Sequence, residues 1–180
     1  LGKGYVGIVV LCKIGKKKVA VKIRRIDSQR KNLKKEAEFL TITNQINVGP
    51  KLLGFSKNFL VIEYLDGEKI GKWINKLKEK PNVVQLKNII KKTLTDCYKL
   101  DKIGLDHGEL SNITKHVIVG KKITILDFES SSVDRRVSNV TSATQAFYIG
   151  SGISKIVNPL CKPSRKSKII SVLRKYKTDQ

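Results

Sequence analysis

The stretch that decides the fold reads His107-Gly108-Glu109-Leu110-Ser111-Asn112, and eighteen residues after Glu109 the chain reaches Asp127-Phe128-Glu129. An acidic residue after His-Gly, followed by a second acidic residue at the end of an apolar run, is typical of a phosphoryl-transfer site. In such a site, one carboxylate orients the acceptor hydroxyl and another binds the metal ion that bridges the phosphates. We therefore expect Glu109 to be catalytic and Asp127 to be a metal ligand.

The composition indicates a chain with a hydrophobic core and a strong positive charge. Forty per cent of the 180 residues are hydrophobic, which is enough for one large domain or two small lobes. Lys and Arg number 37 against 15 Asp and Glu, for a net charge of +22. Such an excess attracts polyanions, so RNA or a ribonucleoprotein surface is an expected partner. Because the basic residues are spread along the whole chain, a solvated lysine-rich surface is the alternative.

The cysteines and the apolar runs bear on location. The three cysteines are odd in number and far apart, so they predict neither a disulfide framework nor a Cys-x-x-Cys metal site. No run approaches the ~20 apolar residues that span a bilayer, and no signal-peptide pattern is present. We therefore expect a cytoplasmic protein without a membrane partner. The chain begins with Leu1 rather than methionine, so we expect a segment upstream.

Hydrophobic periodicity predicts an α+β chain of two lobes, residues 1–65 and 66–180, with the boundary at Asp66-Gly67. The first lobe is expected to contain strands at 8–11 and 19–21, a helix from Asp27 or Ser28 to about Ile46, and a hairpin at 52–55 and 59–64. The second lobe is expected to be mainly helical. Its elements are a helix at 70–77, a helix of about five turns ending before Gly104, a hairpin that Lys115 and His116 begin, and helices near 139–149 and 164–176.

The N-terminal residues match the pattern G-x-G-x-x-G-x-V in full, through Gly2, Gly4, Gly7 and Val9. Glycines allow the backbone to approach phosphates closely, and the valine can lie on an adenine ring. A Rossmann domain carries a similar glycine pattern, but a helix would then follow the last glycine. Strand residues follow here, which favours a phosphate-binding loop between two strands.

The next strand predicts the groups that hold the nucleotide. Ala20 and Lys22 are two residues apart on a strand and therefore share a face, with a small side chain over the base and an ammonium near the phosphates. A carboxylate partner for Lys22 is expected from Glu36 or Glu38, which lie ~200° apart around a helix, so that both cannot point inward. We favour Glu36 because it precedes an apolar stripe. The backbone from Glu63 to Leu65 can offer adenine its hydrogen bonds.

Taken together, these residues resemble the protein-kinase-like superfamily over nearly the whole chain. His-Gly in place of His-Arg, the missing Ala-Pro-Glu segment and the short tail are similar to minimal atypical kinases: the RIO family, the small kinase of the KEOPS tRNA-modification complex, and compact archaeal RIO-like kinases. The resemblance implies a bilobal fold with a small antiparallel β-sheet and one helix in the first lobe and a reduced, mainly helical second lobe. It implies ATP and Mg²⁺ as cofactors, and relatives linked to ribosome assembly or tRNA modification.

The resemblance also assigns roles to residues. Lys22 would bind phosphate, Glu36 would form its ion pair, and Asp127 would bind metal. Glu109 would stand where the catalytic Asp belongs, and its extra methylene moves the carboxylate by about an ångström, enough to cost ~10²-fold in a positioned reaction. His107 would pack against Phe128.

Two departures from the family pattern affect the metal site. The Asn expected five residues after the catalytic acid is Thr114, while Asn112 lies three residues after Glu109 and serves only if the loop is shorter. The eighteen-residue interval from Glu109 to Asp127 equals the usual kinase interval, which favours Thr114 or no second ligand. Glu129 replaces a glycine, so we expect a fixed Asp127. We expect the Glu129 carboxylate to be a surface charge of the loop, and contact with the metal is the alternative.

The expected function is therefore that of an ATP- and Mg²⁺-dependent Ser/Thr protein kinase of RIO-like type. Its acceptor is either an unknown protein or the chain itself. The candidate autophosphorylation sites are Ser130-Ser131-Ser132 and Thr141-Ser142-Ala143-Thr144, with loop and cap residues as the alternative interpretation of both segments. The alternative is an ATP-binding pseudokinase or ATPase switch in a ribosome- or tRNA-related assembly. A small-molecule phosphotransferase ranks last, because the short C-terminal region leaves little room for a substrate lid.

Overall fold

A computed structural model describes residues 1–3, 7–28 and 32–179 of the chain. The N-terminal part forms a five-stranded antiparallel sheet in the order β1-β2-β3-β5-β4. Its strands are β1 (Gly2–Lys3), β2 (Gly7–Ile14), β3 (Lys17–Arg24), β4 (Leu52–Phe55) and β5 (Phe59–Glu63). The two predicted hairpins are therefore present, and the first is longer at both ends than the apolar runs indicated.

The register of this sheet places the predicted strand residues side by side. On β3, Lys22 lies opposite Val9 of β2 and opposite Leu60 of β5. Because side chains alternate across a strand, Ala20 and Lys22 point to the same face, as predicted. The β2–β3 turn contains Gly15, whose φ of +57° lies in the left-handed region that glycine adopts without steric cost.

One helix, α1 (Lys34–Gln45), crosses between β3 and β4 and begins later than the sequence predicted. The predicted cap residues are engaged elsewhere, since the carboxylate of Asp27 pairs with Arg25. The side chain of Asn32 instead accepts a hydrogen bond from the Lys34 N–H at 3.0 Å. Residues near a helix start need such a partner because the first N–H groups have none within the helix.

The C-terminal part is mainly helical around a small sheet. Strand β6 (Gly67–Lys69) pairs with β7 (Val117–Gly120), which pairs with β8 (Ile123–Ile125), all antiparallel. The helices are α2 (Ile70–Lys76), α3 (Val83–Lys102), α4 (Ile113–His116), α5 (Asn139–Tyr148), α6 (Ser154–Cys161) and α7 (Lys166–Thr178). The sequence did not predict β6, α4 or α6, and the prediction that Lys115 and His116 begin a strand was wrong, because both end α4.

The core of this part lies between its helices and its small sheet. Fully buried side chains come from α2, α4, α5, β7 and β8, and α3 contributes Leu86, Ile89 and Leu100. These three residues recur at helical spacing along α3, which is why the sequence located that helix well. The predicted α+β class is confirmed, with a small antiparallel sheet and several helices. In the part of the chain that the structure describes, no helix has the length and apolar character needed to cross a membrane.

Asp101, near the end of α3, ties three helices together. One carboxylate oxygen accepts hydrogen bonds from the backbone N–H and the side-chain amide of Asn139, at 3.0 and 2.8 Å. The other accepts from the Val140 N–H at 3.2 Å and from the Tyr176 hydroxyl of α7 at 2.9 Å. The buried carboxylate thus satisfies the first N–H groups of α5 and anchors α7.

Candidate active site

A cleft of about 760 Å³ brings together side chains from both parts of the chain. Its lining includes nearly all residues that the sequence analysis singled out: Gly2, Gly7, Val9, Ala20, Lys22, Glu36, Glu63, Leu65, Glu109, Asn112 and Asp127. The predicted phosphate-loop residue Gly4 lies outside the described residues. The structure therefore brings together residues from both ends of the range between Gly2 and Asp127.

Lys22 is the electrostatic centre of the cleft. Its ammonium contacts both oxygens of Glu36 at 3.0 and 2.9 Å, Asp127 Oδ1 at 3.0 Å and Glu129 Oε2 at 2.7 Å. The side chain is only 10% exposed, and burial alone would disfavour its charged form. The three carboxylates outweigh burial, so that the pKa of Lys22 lies above its ordinary value.

The choice of Glu36 over Glu38 is confirmed. Glu36 lies on the buried side of α1 next to Ala37, while Glu38 is exposed and pairs with Lys34 at 3.8 Å. Burial raises the pKa of Glu36 to about 7, against the opposing charge of Lys22 and with a smaller contribution from the neighbouring carboxylates. Glu36 is therefore a carboxyl group whose protonation falls in the neutral range.

Asp127 follows β8 in an unusual backbone conformation, with φ +67° and ψ +72°. Such left-handed geometry is uncommon outside glycine, although Asp tolerates it better than most residues. It lets the chain turn at once into a single 3-10 helical turn, Phe128–Ser130. The Asp127 side chain remains 40% exposed in the cleft, where it contacts Lys22.

The turn after Asp127 is anchored by a buried aromatic contact. The rings of His107 and Phe128 meet edge to face with centroids 5.1 Å apart, which confirms the predicted packing. His107 Nε2 bonds to the Leu126 carbonyl at 2.8 Å, and burial lowers the pKa of His107 to about 4. Gly49 leaves room for Phe128, because a Cβ there would lie 2.8 Å from the ring.

Glu109 faces the cleft with both carboxylate oxygens engaged. Oε1 accepts a hydrogen bond from the Ser130 hydroxyl, and Oε2 lies 3.0 Å from His116 Nε2. The other ring nitrogen of His116 is buried without a partner among the residues that the structure describes. The sequence did not predict either contact: His116 was interpreted as a strand residue, and Ser130 was only one of three equivalent serines.

The expectation that the Glu129 carboxylate is a surface charge of the loop was wrong. The side chain is 14% exposed, lines the cleft and contacts Lys22. The physical reason is the 3-10 turn, which folds residue 129 back toward the sheet instead of continuing outward. An acidic residue at a position where glycine is expected was the signal that could have indicated a contact with Lys22.

The two candidates for a second metal ligand lie in different surroundings. Asn112 lines the cleft. Thr114 is not among the lining residues in the described part of the chain; it packs on α2, where a Cβ at Gly71 would lie 2.9 Å from it. The Thr114 hydroxyl also donates to Asn112 Oδ1 at 2.8 Å. Of the two candidates, Asn112 therefore lies in the cleft, and whether a second ligand exists stays a prediction.

Oxygen atoms of Glu36, Asp127 and Glu129 lie within 4.8 Å of one another. Carboxylate oxygens are the ligands that Mg²⁺ prefers, so this set of donors fits that ion chemically. Because both oxygens of Glu36 bind Lys22, Asp127 and Glu129 are the residues that would hold the metal.

Comparison with known proteins adds one relative. The chain matches no family model. It is similar to an uncharacterized protein of Methanocaldococcus jannaschii, with 28% identity over 96 residues, which are 53% of this chain and 79% of that protein.

Proposed function

We propose that the chain is an ATP- and Mg²⁺-dependent phosphotransferase with a bilobal protein-kinase-like fold. In this proposal it is a Ser/Thr protein kinase of RIO-like type that acts on a protein or on itself. The observation that carries the proposal is the convergence of Lys22, Glu36 and Asp127 at one cleft, which Glu109 also faces. An ammonium, its paired carboxylate, a metal-binding carboxylate and a base are the parts that phosphoryl transfer needs.

The part of the cleft next to β2, β3 and β5 suits a nucleotide base. Val9, Ala20 and Ile62 offer apolar surface, and residues 63–65 line the same cleft. A volume of about 760 Å³ lies within the ~300–1,000 Å³ range of small-molecule sites. Gly7 cannot carry a side chain without contact, since a Cβ would lie 2.8 Å from the Ile23 carbonyl oxygen and 3.1 Å from Lys22 Cγ. Glycine at this position therefore lets β2 pack closely beside Lys22.

Each charged residue of the cleft would have its own role at the phosphates. Lys22 would bind the α- and β-phosphates, and Glu36 would hold the ammonium in place. Asp127 and Glu129 would bind Mg²⁺, which neutralises charge on the phosphates when it is present. Glu109 would accept the proton of an acceptor hydroxyl, a role for which its carboxylate must lie within hydrogen-bond reach of that hydroxyl.

A second candidate function is that of a nucleotide-binding pseudokinase or ATPase switch. It is favoured by the state of Glu109, whose two oxygens are taken by Ser130 and His116. It is also favoured by the position of Asn112, which bonds to Thr114 rather than standing free in the cleft. In that case the charge of +22 would serve contact with RNA or a ribonucleoprotein surface.

Binding and transfer are tested separately. The chain is titrated with ATP and Mg²⁺, and transfer from ATP labelled at the γ-phosphate is followed on the chain and on basic and acidic protein acceptors. We expect both binding and transfer in the wild type and loss of transfer in Lys22→Met. Lys72→Met is the matched control, because Lys72 is exposed on α2 and carries the same charge. Binding without transfer supports the switch, and no binding overturns both functions.

A further inference from the structure

Ser130 donates its hydroxyl hydrogen to Glu109 Oε1. This is the contact that the hydroxyl of an acceptor makes with the base of a phosphotransferase. We propose that Ser130 is the first phosphate acceptor of this chain and that the transfer occurs within one molecule. The inference rests on the proposed phosphotransferase function and names the acceptor residue for it.

The structure distinguishes Ser130 from its two neighbours in the triple serine. Ser131 is only 4% exposed, and its hydroxyl has no hydrogen-bond partner within the described ranges. Ser132 exchanges backbone hydrogen bonds with Asp106 at 2.9 Å in both directions, and its hydroxyl accepts from the Asp134 N–H at 3.1 Å. Only the Ser130 hydroxyl is seated on a carboxylate of the cleft.

Ser130 is held in this position through its carbonyl oxygen. Arg135 Nη2 donates to the Ser130 carbonyl at 2.8 Å, while Arg135 Nε binds the buried carboxylate of Asp106 at 2.9 Å. Gly108 has φ +87°, and a Cβ there would lie 2.8 Å from the Ser130 carbonyl and 2.5 Å from Arg135 Nη2. The approach of the serine to Glu109 therefore depends on glycine at 108. A hydroxyl fixed in this way is positioned before the nucleotide arrives, which favours reaction within the molecule.

The proposed step balances as follows. The Ser130 oxygen forms a bond to the γ-phosphorus of ATP, and the bond between that phosphorus and the bridging oxygen of ADP breaks. The hydroxyl proton passes to Glu109 Oε1, and the electron pair of the broken bond leaves with ADP. The products are phosphoserine at position 130, ADP and a protonated Glu109, which releases its proton to solvent.

The product cannot remain where the hydroxyl was. A phosphoserine carries about −1.5 to −2 charges at neutral pH and would be repelled by the carboxylate of Glu109, on which the hydroxyl lay. Ser130 also lines a second cavity of about 530 Å³, whose walls include the basic Lys35 and Arg135, the amide of Asn32 and one carboxylate, Glu129. The two basic side chains make it the nearest place for the new phosphate. Its departure leaves Glu109 free to accept the proton of another hydroxyl, so self-phosphorylation would open the site to an external acceptor.

The test maps phosphate on the chain itself. Wild type, Ser130→Ala, Ser130→Thr and the matched control Ser132→Ala are incubated with ATP and Mg²⁺ and digested with trypsin. The peptide of residues 123–135 contains all three serines, and its fragmentation in a mass spectrometer locates the phosphate. We expect one phosphate on Ser130 in wild type and in Ser132→Ala, none in this peptide of Ser130→Ala, and phosphothreonine in Ser130→Thr. The first-order rate constant is expected to be independent of protein concentration.

Three outcomes would overturn the inference. Phosphate found only elsewhere in the chain shows that another residue is the acceptor, and a rate that rises with protein concentration shows transfer between molecules. Bound ATP without any phosphate on the chain rejects Ser130 as acceptor while leaving nucleotide binding intact. An absence of ATP binding would instead remove the proposed function on which the inference rests.

Discussion

In the proposed function, Glu129 determines how much a nucleotide would have to displace in order to bind. An ammonium group has three N–H donors, and those of Lys22 face three carboxylates, of Glu36, Asp127 and Glu129. A phosphate that reaches Lys22 must therefore replace one of them. Glu36 holds the ammonium with both oxygens, so the carboxylate that leaves is that of Glu129 or of Asp127, and we test Glu129. The substitution Glu129→Gln keeps the shape of the side chain and removes its charge.

The magnitude follows from the contact that is lost. Glu129 Oε2 lies 2.7 Å from the ammonium, and the two side chains are 14% and 10% exposed, so water screens the pair only weakly. A hydrogen bond between charged groups contributes about 1.5–3 kcal/mol. Since the amide of glutamine recovers part of this, we take about 1.4 kcal/mol, which corresponds to a tenfold change in affinity. We expect metal-free ATP or ADP to bind about tenfold more tightly to Glu129→Gln than to wild type.

Calorimetric titration with ADP and ATP in the presence of EDTA measures this difference. Asp134→Asn is the matched control, because Asp134 is an exposed carboxylate of the same loop and its loss changes the net charge equally. In Mg²⁺ the gain is expected to shrink, because Glu129 would also bind the metal. An affinity in EDTA that is unchanged or weaker in Glu129→Gln, or equally raised in Asp134→Asn, would refute the reasoning.

Three further predictions concern stability. The pKa of Glu36 rises from an ordinary 4.5 to about 7 on folding, so the folded chain binds this proton more tightly than the unfolded chain. Relative to Glu36→Gln, the free energy of unfolding of wild type should therefore rise as the pH falls from about 7 to about 4.5, by about 3 kcal/mol at most, in urea titrations at several pH values. A difference that does not change with pH would contradict the raised pKa. Gly49→Ala should lose about 1–3 kcal/mol in thermal denaturation, because residue 49 has φ +80° and the new Cβ meets Phe128, whereas Gly150→Ala has open space and should stay within about 0.5 kcal/mol. Asp101→Asn should lose about 1–3 kcal/mol, because one amide oxygen cannot accept the four hydrogen bonds that the carboxylate accepts, and Tyr176→Phe, which removes one of them, should lose about 1 kcal/mol. If Asp101→Asn and Tyr176→Phe lost the same free energy of unfolding, the whole effect of Asp101→Asn would come from its contact with α7.

The elements that the sequence predicted are those with a strong period. The β2–β3 hairpin and α3 have apolar residues at strand and helix spacing, and the structure contains both. Strand β6 could not be predicted, because Gly67–Lys69 is short and polar and becomes a strand only by pairing with β7. Helix α6 was missed because Pro159 lies inside it and a Gly-Ser-Gly segment precedes it, both of which indicate a loop.

The contacts of the candidate site also fall into those that the sequence could predict and those that it could not. The contact between Lys22 and Glu36 could be predicted, because one side chain belongs to a regular strand and the other to a regular helix, whose periods fix the direction of each. The positions of Glu129 and His116 could not, because they depend on the left-handed backbone at Asp127 and on the extra helical turn α4. Irregular backbone decides where those side chains point, and no sequence period reports it.

The proposed function explains two contacts in the same way, that of Glu129 with Lys22 and that of Ser130 with Glu109. The Glu129 carboxylate occupies the place on Lys22 that a phosphate would take, and the Ser130 hydroxyl occupies the place on Glu109 that an acceptor would take. The two residues are consecutive in the single turn Phe128–Ser130. A nucleotide that displaces Glu129 from Lys22 therefore moves the same short turn that positions the Ser130 hydroxyl on Glu109. In Glu129→Gln, where that displacement costs less, phosphate should accumulate on Ser130 at a lower ATP concentration than in wild type, in the same peptide of residues 123–135.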